Sequence, residues 1–181
     1  MAKATKPAKD RAETDHSWHL AEDPTGVALA DLEYALLRVH EAFGRWQSEC
    51  LAAVSGATIT GPENVLLHVI AMKSRPKTIH DLQLLTNRTD TVNIQYGLRK
   101  LIKLGFVAKD GSGRAGVYYR CTPEGDRMCR DYAKLRKKLM LEAVKTWPKF
   151  ESDSARATAH LEALEKTYTI AGREAATFHR R

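Results

Sequence analysis

Apolar residues recur along this chain with two periods, and the change between them marks out its parts. Leu32, Leu36, Val39, Phe43, Trp46, Cys50 and Ala53 are spaced alternately four and three apart, which lines one stripe of a helix over about 31–53. Gly56 and Gly61 then break the pattern. Thr60 and Glu63 fit a capping box with Pro62 in the first turn, and Val65, Leu66, Val69 and Ile70 form the inner face of a short second helix. Ser74, Arg75 and Pro76 end it. Thr78, with Asp81 three residues on, caps a third helix that turns Ile79, Leu82 and Leu85 inward. After a turn at Thr86, Asn87 and Arg88, Thr89 or Asp90 caps a fourth helix with Ile94, Leu98, Leu101 and Ile102 inside, and Gly105 is its left-handed stop.

The period then shortens to two. Residues 106–109 and 117–121 are rich in aromatic and β-branched side chains and flank a glycine-rich stretch, 110–116, which predicts a β-hairpin with an exposed tip. Thr122, Pro123 and Glu124 open a fifth helix whose stripe is Met128, Tyr132, Leu135, Leu139 and Ala143, ending at Trp147 and Pro148. A last helix over about 152–171 carries Ala157, Leu161, Leu164, Tyr168 and Ala171 at heptad spacing. Residues 1–28 are polar and without apolar periodicity, which predicts a flexible arm, and 172–181 is left as a tail. The fold class is mostly α with a small β-hairpin: a winged helix-turn-helix over 62–122, with helical regions over 31–56 and 123–171.

Composition narrows the function. The 181 residues carry 29 Lys and Arg against 22 Asp and Glu, a net charge of +7. The excess is uneven. Residues 62–125 hold ten bases and five acids and 126–181 thirteen and eight, whereas 31–61 holds two and four, which points to a polyanionic partner for the helix-turn-helix. The longest stretch without a charged residue runs from Cys50 to Pro62, interrupted by glycine and proline and too short for a membrane span. No secretory signal pattern opens the chain, so a cytoplasmic location is expected. Cys50, Cys121 and Cys129 form no paired motif, and no metal, nucleotide or hydrolase signature occurs, so neither a cofactor nor catalysis is expected.

In a winged helix-turn-helix the second helix of the pair enters the major groove, and the hairpin reaches phosphates or the minor groove. On this reading Thr89, Thr91 and the helix-start amides face phosphate, and Asn93 and Gln95 are candidates for base edges because their amides can bridge adenine N6 and N7. Tyr96 offers apolar contact to a thymine methyl or a hydrogen bond to phosphate. Arg88, Lys100 and Lys103 serve phosphates, and Arg114 at the tip suits a narrow minor groove. The plainer alternative for Asn93, Gln95, Lys100 and Lys103 is an ordinary solvated face, as it is for the basic run Arg136, Lys137 and Lys138.

Over roughly 31–171 the order of elements resembles the MarR family of bacterial transcription regulators. The resemblance is carried by the run from Thr78 to Leu82, the segment ending in Leu101–Val107, and Thr122–Gly125 after the hairpin. The chain departs from the family pattern where Asp110 is followed by Gly, Ser, Gly and a single Arg114, and where Tyr96 stands in place of a frequent Arg. The resemblance implies a homodimer joined through the outer helices, a repressor on a pseudo-palindromic double-stranded operator, and a small organic effector bound between the dimer helices and the reading domain. His40, Trp46, His68 and Tyr132 are the candidates to line that cleft, each also readable as a core or interface side chain. Peroxide-sensing relatives place their thiol near the start of the first long helix, whereas Cys50 lies near its end, so thiol sensing is not expected. A winged-helix scaffold acting through protein contacts is the alternative function.

Overall fold

The computed structural model describes residues 23–72, 75–111 and 116–179. They divide into two compact units, the first closing at Tyr132 and the second starting at Ala133.

The first unit opens with α1, Pro24–Ser55. Asp23 caps it, its carboxylate accepting from the Gly26 amide at 2.7 Å, and Pro24 occupies the first turn. Residues 24–28, expected in the polar arm, are therefore helical, and the arm's remaining residues lie outside the described ones. Ala30, Gln47, Cys50 and Leu51 are the buried positions of α1, while Leu32, Val39 and Phe43 of the expected stripe stand exposed. Gly56 ends the helix in the left-handed conformation, its amide bonded to Ala52 O.

Helix α2, Gly61–Ala71, starts with Glu63 accepting from the Thr60 amide at 2.8 Å, and Leu66, Leu67, Val69 and Ile70 enter the core. Helix α3, Ile79–Thr86, opens on the expected box: the Asp81 amide donates to Thr78 Oγ1 at 3.0 Å and Asp81 Oδ2 accepts from the Thr78 amide at 2.8 Å. Leu82 is fully buried, but Leu85, expected inside, is half exposed, because the eight-residue helix turns only one narrow face to its neighbours. Asn87, left-handed at φ 51°, makes the turn into α4, Thr91–Lys103, whose Ile94, Leu98 and Leu101 complete the core with Gly97 packed on Leu66.

Gly105, at φ 76°, sends the chain into β1, Val107–Asp110, which pairs antiparallel with β2, Tyr118–Cys121, in the register Val107 to Cys121 and Asp110 to Tyr118. A third edge was not foreseen: the amides and carbonyls of Lys77 and Tyr119 exchange two hydrogen bonds of 2.8 Å, fixing the hairpin to the segment before α3. The buried Lys77 ammonium donates to Met72 O at 2.8 Å and Arg75 O at 2.6 Å. Thr122 caps α5, Pro123–Arg136, accepting from the Gly125 amide at 3.0 Å, and Met128 and Tyr132 close the core.

In the second unit the helix expected to reach Trp147 is interrupted. A π-helical turn, Lys137–Leu141, precedes a short α6, Glu142–Val144, and Leu139 and Ala143 of the predicted stripe are exposed. Helix α7 runs Phe150–Phe178, starting two residues before the predicted boundary and absorbing most of the predicted tail. None of its residues is buried, and Leu161, Tyr168, Ile170 and Phe178 are exposed. Among the described residues no helix is long and apolar enough to cross a membrane.

Candidate nucleic-acid interface

The solvent side of α4 follows from its core side. With Ile94, Leu98 and Leu101 facing in, Val92, Gln95, Tyr96, Arg99 and Lys103 recur at spacings of three and four on the outside, and all five are exposed. Val92 and Arg99 had not been singled out, although their spacing from Gln95 and Tyr96 carries the signal. Thr89, exposed, precedes the helix, and Asp90 occupies the cap without a side-chain bond to the helix amides.

Several predicted contacts are already engaged within the chain. Arg88 holds Asp90 through two bonds, Nε to Oδ1 at 2.9 Å and Nη2 to Oδ2 at 2.8 Å, and Asn93 Nδ2 donates to the same carboxylate at 3.1 Å. The guanidinium of Arg88, then the Asn93 amide, hold the Asp90 carboxyl down at about 2, and the pairing pushes Arg88 upward. Thr91 is partly buried, its hydroxyl accepting from Gln83 Nε2 at 2.9 Å, which locks α4 onto α3. The Thr91 and Asn93 amides donate to Thr89 O and Asp90 O, so they are not the free helix-start donors expected. Lys100, expected at a phosphate, is likewise engaged within the chain. Its ammonium turns inward and donates to buried Glu63 at 2.8 Å, because an acid at the start of α2 would otherwise be left unpaired away from water. Arg114 lies outside the described residues.

The charge of the unit is sorted by these pairs. Every acid within 62–125 has a basic partner: Glu63 with Lys100, Asp81 with Arg75, Asp90 with Arg88, Asp110 with Arg120, and Glu124 with Arg127. Arg99 and Lys103 on α4 and Lys109 on β1 take part in none of them and stand exposed. Positive charge without an internal counterion thus falls on the outer side of α4 and on the hairpin.

The four effector candidates do not form one cluster. His68 and Tyr132 meet, with ring centroids 4.5 Å apart and planes at 58°, and burial pushes the His68 imidazole below its usual range. His40 is exposed on α1, on a groove of about 340 Å³ beside Glu41, Ser48 and Pro62 that includes none of the other three. Trp46 is half-buried on the same helix. One residue of this region was missed. Asn64 is fully buried, and neither its amide nitrogen nor its amide oxygen has a hydrogen-bond partner, as is true of His68 Nε2 one turn on. No group of His, Cys, Asp or Glu among the described residues is arranged to hold a metal ion.

A family model for a winged helix DNA-binding domain matches residues 59–125. Among solved structures the chain is similar to AbfR of Staphylococcus epidermidis, at 13% identity and a TM-score of 0.62 over 90% of this chain and 98% of that one. It is similar to S. aureus MepR in its DNA complex, at 15% identity and 0.58 over 73% and 95%. It is also similar to a MarR family protein from Bacillus stearothermophilus, at 17% identity and 0.56 over 77% and 96%. No curated protein sequence matches the chain. Residues 59–125 are a winged helix domain, and the chain that carries it has the fold of the MarR family regulators.

Proposed function

We propose that this protein is a homodimeric, sequence-specific DNA-binding transcription regulator, a repressor in the manner its fold suggests. The observation that carries the reading is the outer stripe of α4, where Gln95 and Tyr96 stand between Val92 and the unneutralised Arg99 and Lys103 on a helix whose other side is locked into a winged domain. A helix so placed presents an amide for base edges, apolar surface for thymine methyls and cations for phosphates. The solved complex of MepR with DNA, a protein of the same fold, supports the choice of partner.

The dimer reading rests on surface that a single chain leaves uncovered. Helix α1 exposes Leu32, Leu37, Val39 and Phe43, and α7 exposes Leu161, Tyr168 and Ile170. Apolar stripes of this extent are disfavoured in water and mark association sites. A twofold pairing through the outer helices would set two copies of α4 on half-sites about 34–36 Å apart. For the releasing signal we retain a small organic effector, read by Asn64, His68 and Tyr132, whose unpaired amide and imidazole atoms offer donors and an acceptor.

The test is equilibrium binding of the full chain to duplexes from its own upstream region, with scrambled duplexes of the same composition as competitor. Preference of at least about a hundredfold for one pseudo-palindromic site is expected. Equal binding to scrambled DNA, or none, contradicts the reading and favours a scaffold working through protein contacts.

A further inference from the structure

The outer side of α4 begins apolar. Val92 is 74% exposed, more than any other apolar side chain of the winged domain among the described residues, and Tyr96, one turn on, is 61% exposed on the same side. Folding does not ask for valine there. The core side of α4 is made by Ile94, Leu98 and Leu101, and a β-branched residue is a weaker helix former than Ala or Glu. An acid in the first turn would also suit the positive end of the helix dipole. What the branch supplies is stiffness: in a helix its χ1 settles in one rotamer, so the two methyls stand at a fixed place beyond the helix surface.

The polar groups nearby set what this strip can read. Arg88 gives Nε and Nη2 to Asp90, Asn93 donates to the same carboxylate, Thr91 Oγ1 accepts from Gln83, and Lys100 is drawn inward to Glu63. The cations left outward on α4, Arg99 and Lys103, lie in its second half. In this mode of docking the N-terminal part of the helix reaches the base edges, and guanine is most often gripped there by Arg or Lys on O6 and N7. No outward cation of α4 stands at that end. Gln95 offers instead a neutral amide that matches adenine N6 and N7. Val92 offers methyls that match the thymine C5 methyl, the one methyl on the major-groove edge of the four bases. Removing one methyl from such a contact changes affinity about fourfold.

We propose that Val92 is a specificity-determining residue that reads a thymine C5 methyl, and that each half-site presents A·T pairs to the first two turns of α4, thymine against Val92 and adenine against Gln95. Tyr96 flanks the contact and keeps water from it. The inference rests on the reading of the protein as a sequence-specific DNA-binding regulator, and adds to it the base composition of the half-site and the atom recognised. Uracil differs from thymine only in lacking that methyl. Its pairing with adenine is unchanged, so exchanging one for the other isolates the methyl contact.

The full-length protein is used to enrich duplexes from a library with a random core of about 30 base pairs, long enough for two half-sites about 10 base pairs apart. The enriched site is remade with deoxyuridine in place of each thymine in turn, and the affinities of the wild type and Val92→Ala are measured by anisotropy. The expected result is one position in each half-site where uracil weakens the wild type about fourfold and Val92→Ala by less than about 1.5-fold. The two proteins should share one slope of log affinity against log salt, since no phosphate contact is lost. Val92→Ile, which keeps the branch, should keep the fourfold loss. Val92 is exposed and alanine is the better helix former, so the alanine variant should fold, as circular dichroism checks. Three results overturn the assignment while sequence-specific binding stands: an enriched half-site built of G·C pairs, uracil bound as tightly as thymine at every position, or a Val92→Ala protein that still prefers thymine fourfold. No enrichment over the starting library overturns the sequence-specific reading itself, and this inference with it.

Discussion

The first turn of α5 passes the hairpin so closely that it has room for no side chain at Gly125. A Cβ built there would lie 2.0 Å from Phe106 O, and separations under 3.0 Å are essentially not seen, so Gly125→Ala must open the gap by about 1 Å. Neither side yields easily. Phe106 is held by its amide to Leu101 O at 3.0 Å and by its carbonyl to the Thr122 amide at 3.1 Å, and Gly125 itself donates to Thr122 Oγ1 at 3.0 Å. Overpacking a well-made contact costs about 1–3 kcal/mol, and a rigid backbone obstacle puts this case at about 3 kcal/mol. The better helix propensity of alanine returns up to about 1 kcal/mol. The net loss of about 2–3 kcal/mol corresponds to a fall in Tm of about 4–12 °C for a chain of this size. Differential scanning fluorimetry at fixed protein concentration measures it. Gly172→Ala is the control: nothing lies within 4 Å of its Cβ position in α7, so it should hold or gain stability. A Gly125→Ala protein that melts with the wild type, or above it, would refute the packing of α5 against the hairpin.

Four further outcomes follow from the pairs around α4 and α3. Lys100→Ala strands a buried carboxylate and should cost about 1–3 kcal/mol in urea denaturation, discounted for the lysine's partial exposure, while leaving the salt dependence of DNA binding unchanged. Lys103→Ala should do the reverse, sparing stability and reducing the slope of log affinity against log salt by about one. Asp90→Asn, which removes an acid beside the outer stripe and releases Arg88, should raise affinity for any duplex about threefold at low salt, measured by anisotropy. The Asp81 carboxyl is held well below the usual carboxylate range by the Thr78 amide and Arg75. Its folded pKa is depressed, so its contribution is whole above the unfolded carboxylate pKa and fades as pH falls through the folded one. Asp81→Ala should therefore destabilise at pH 6 and make little difference at the acid end, in denaturant titrations at each pH.

The starts of α2, α3 and α5 were legible because local chemistry sets them, whereas α4 begins after Asp90 without a side-chain bond to its amides. Thr60 with Glu63, Thr78 with Asp81, and Thr122 before Pro123 cap the helices where their side chains predict, and Gly105 takes the positive φ that ends α4. The onset of α1 was equally local, in Asp23 and Pro24, but a polar surrounding hid it. The π turn after α5 has no glycine or proline to announce it. What could not be read was the choice of partner. Whether Lys100 meets water or Glu63, and whether Lys77 is exposed or buried against carbonyls, depend on elements distant in sequence or on the angle of a turn. The outer stripe of α4 sits between these cases. Its periodicity was present in the sequence, yet Asn93 was read ahead of Arg99 because the Asp90 carboxylate that holds it belongs to the folded turn.

The central claim is that two copies of α4 read one face of a duplex together. Hydroxyl-radical footprinting on the preferred site tests it most directly. The account predicts two protected patches centred about 10–10.5 base pairs apart, symmetric about a common axis, and both weakened together by a Gln95→Ala and Arg99→Ala double substitution. A single patch, uniform protection along the duplex, or a footprint indifferent to those two residues would contradict it.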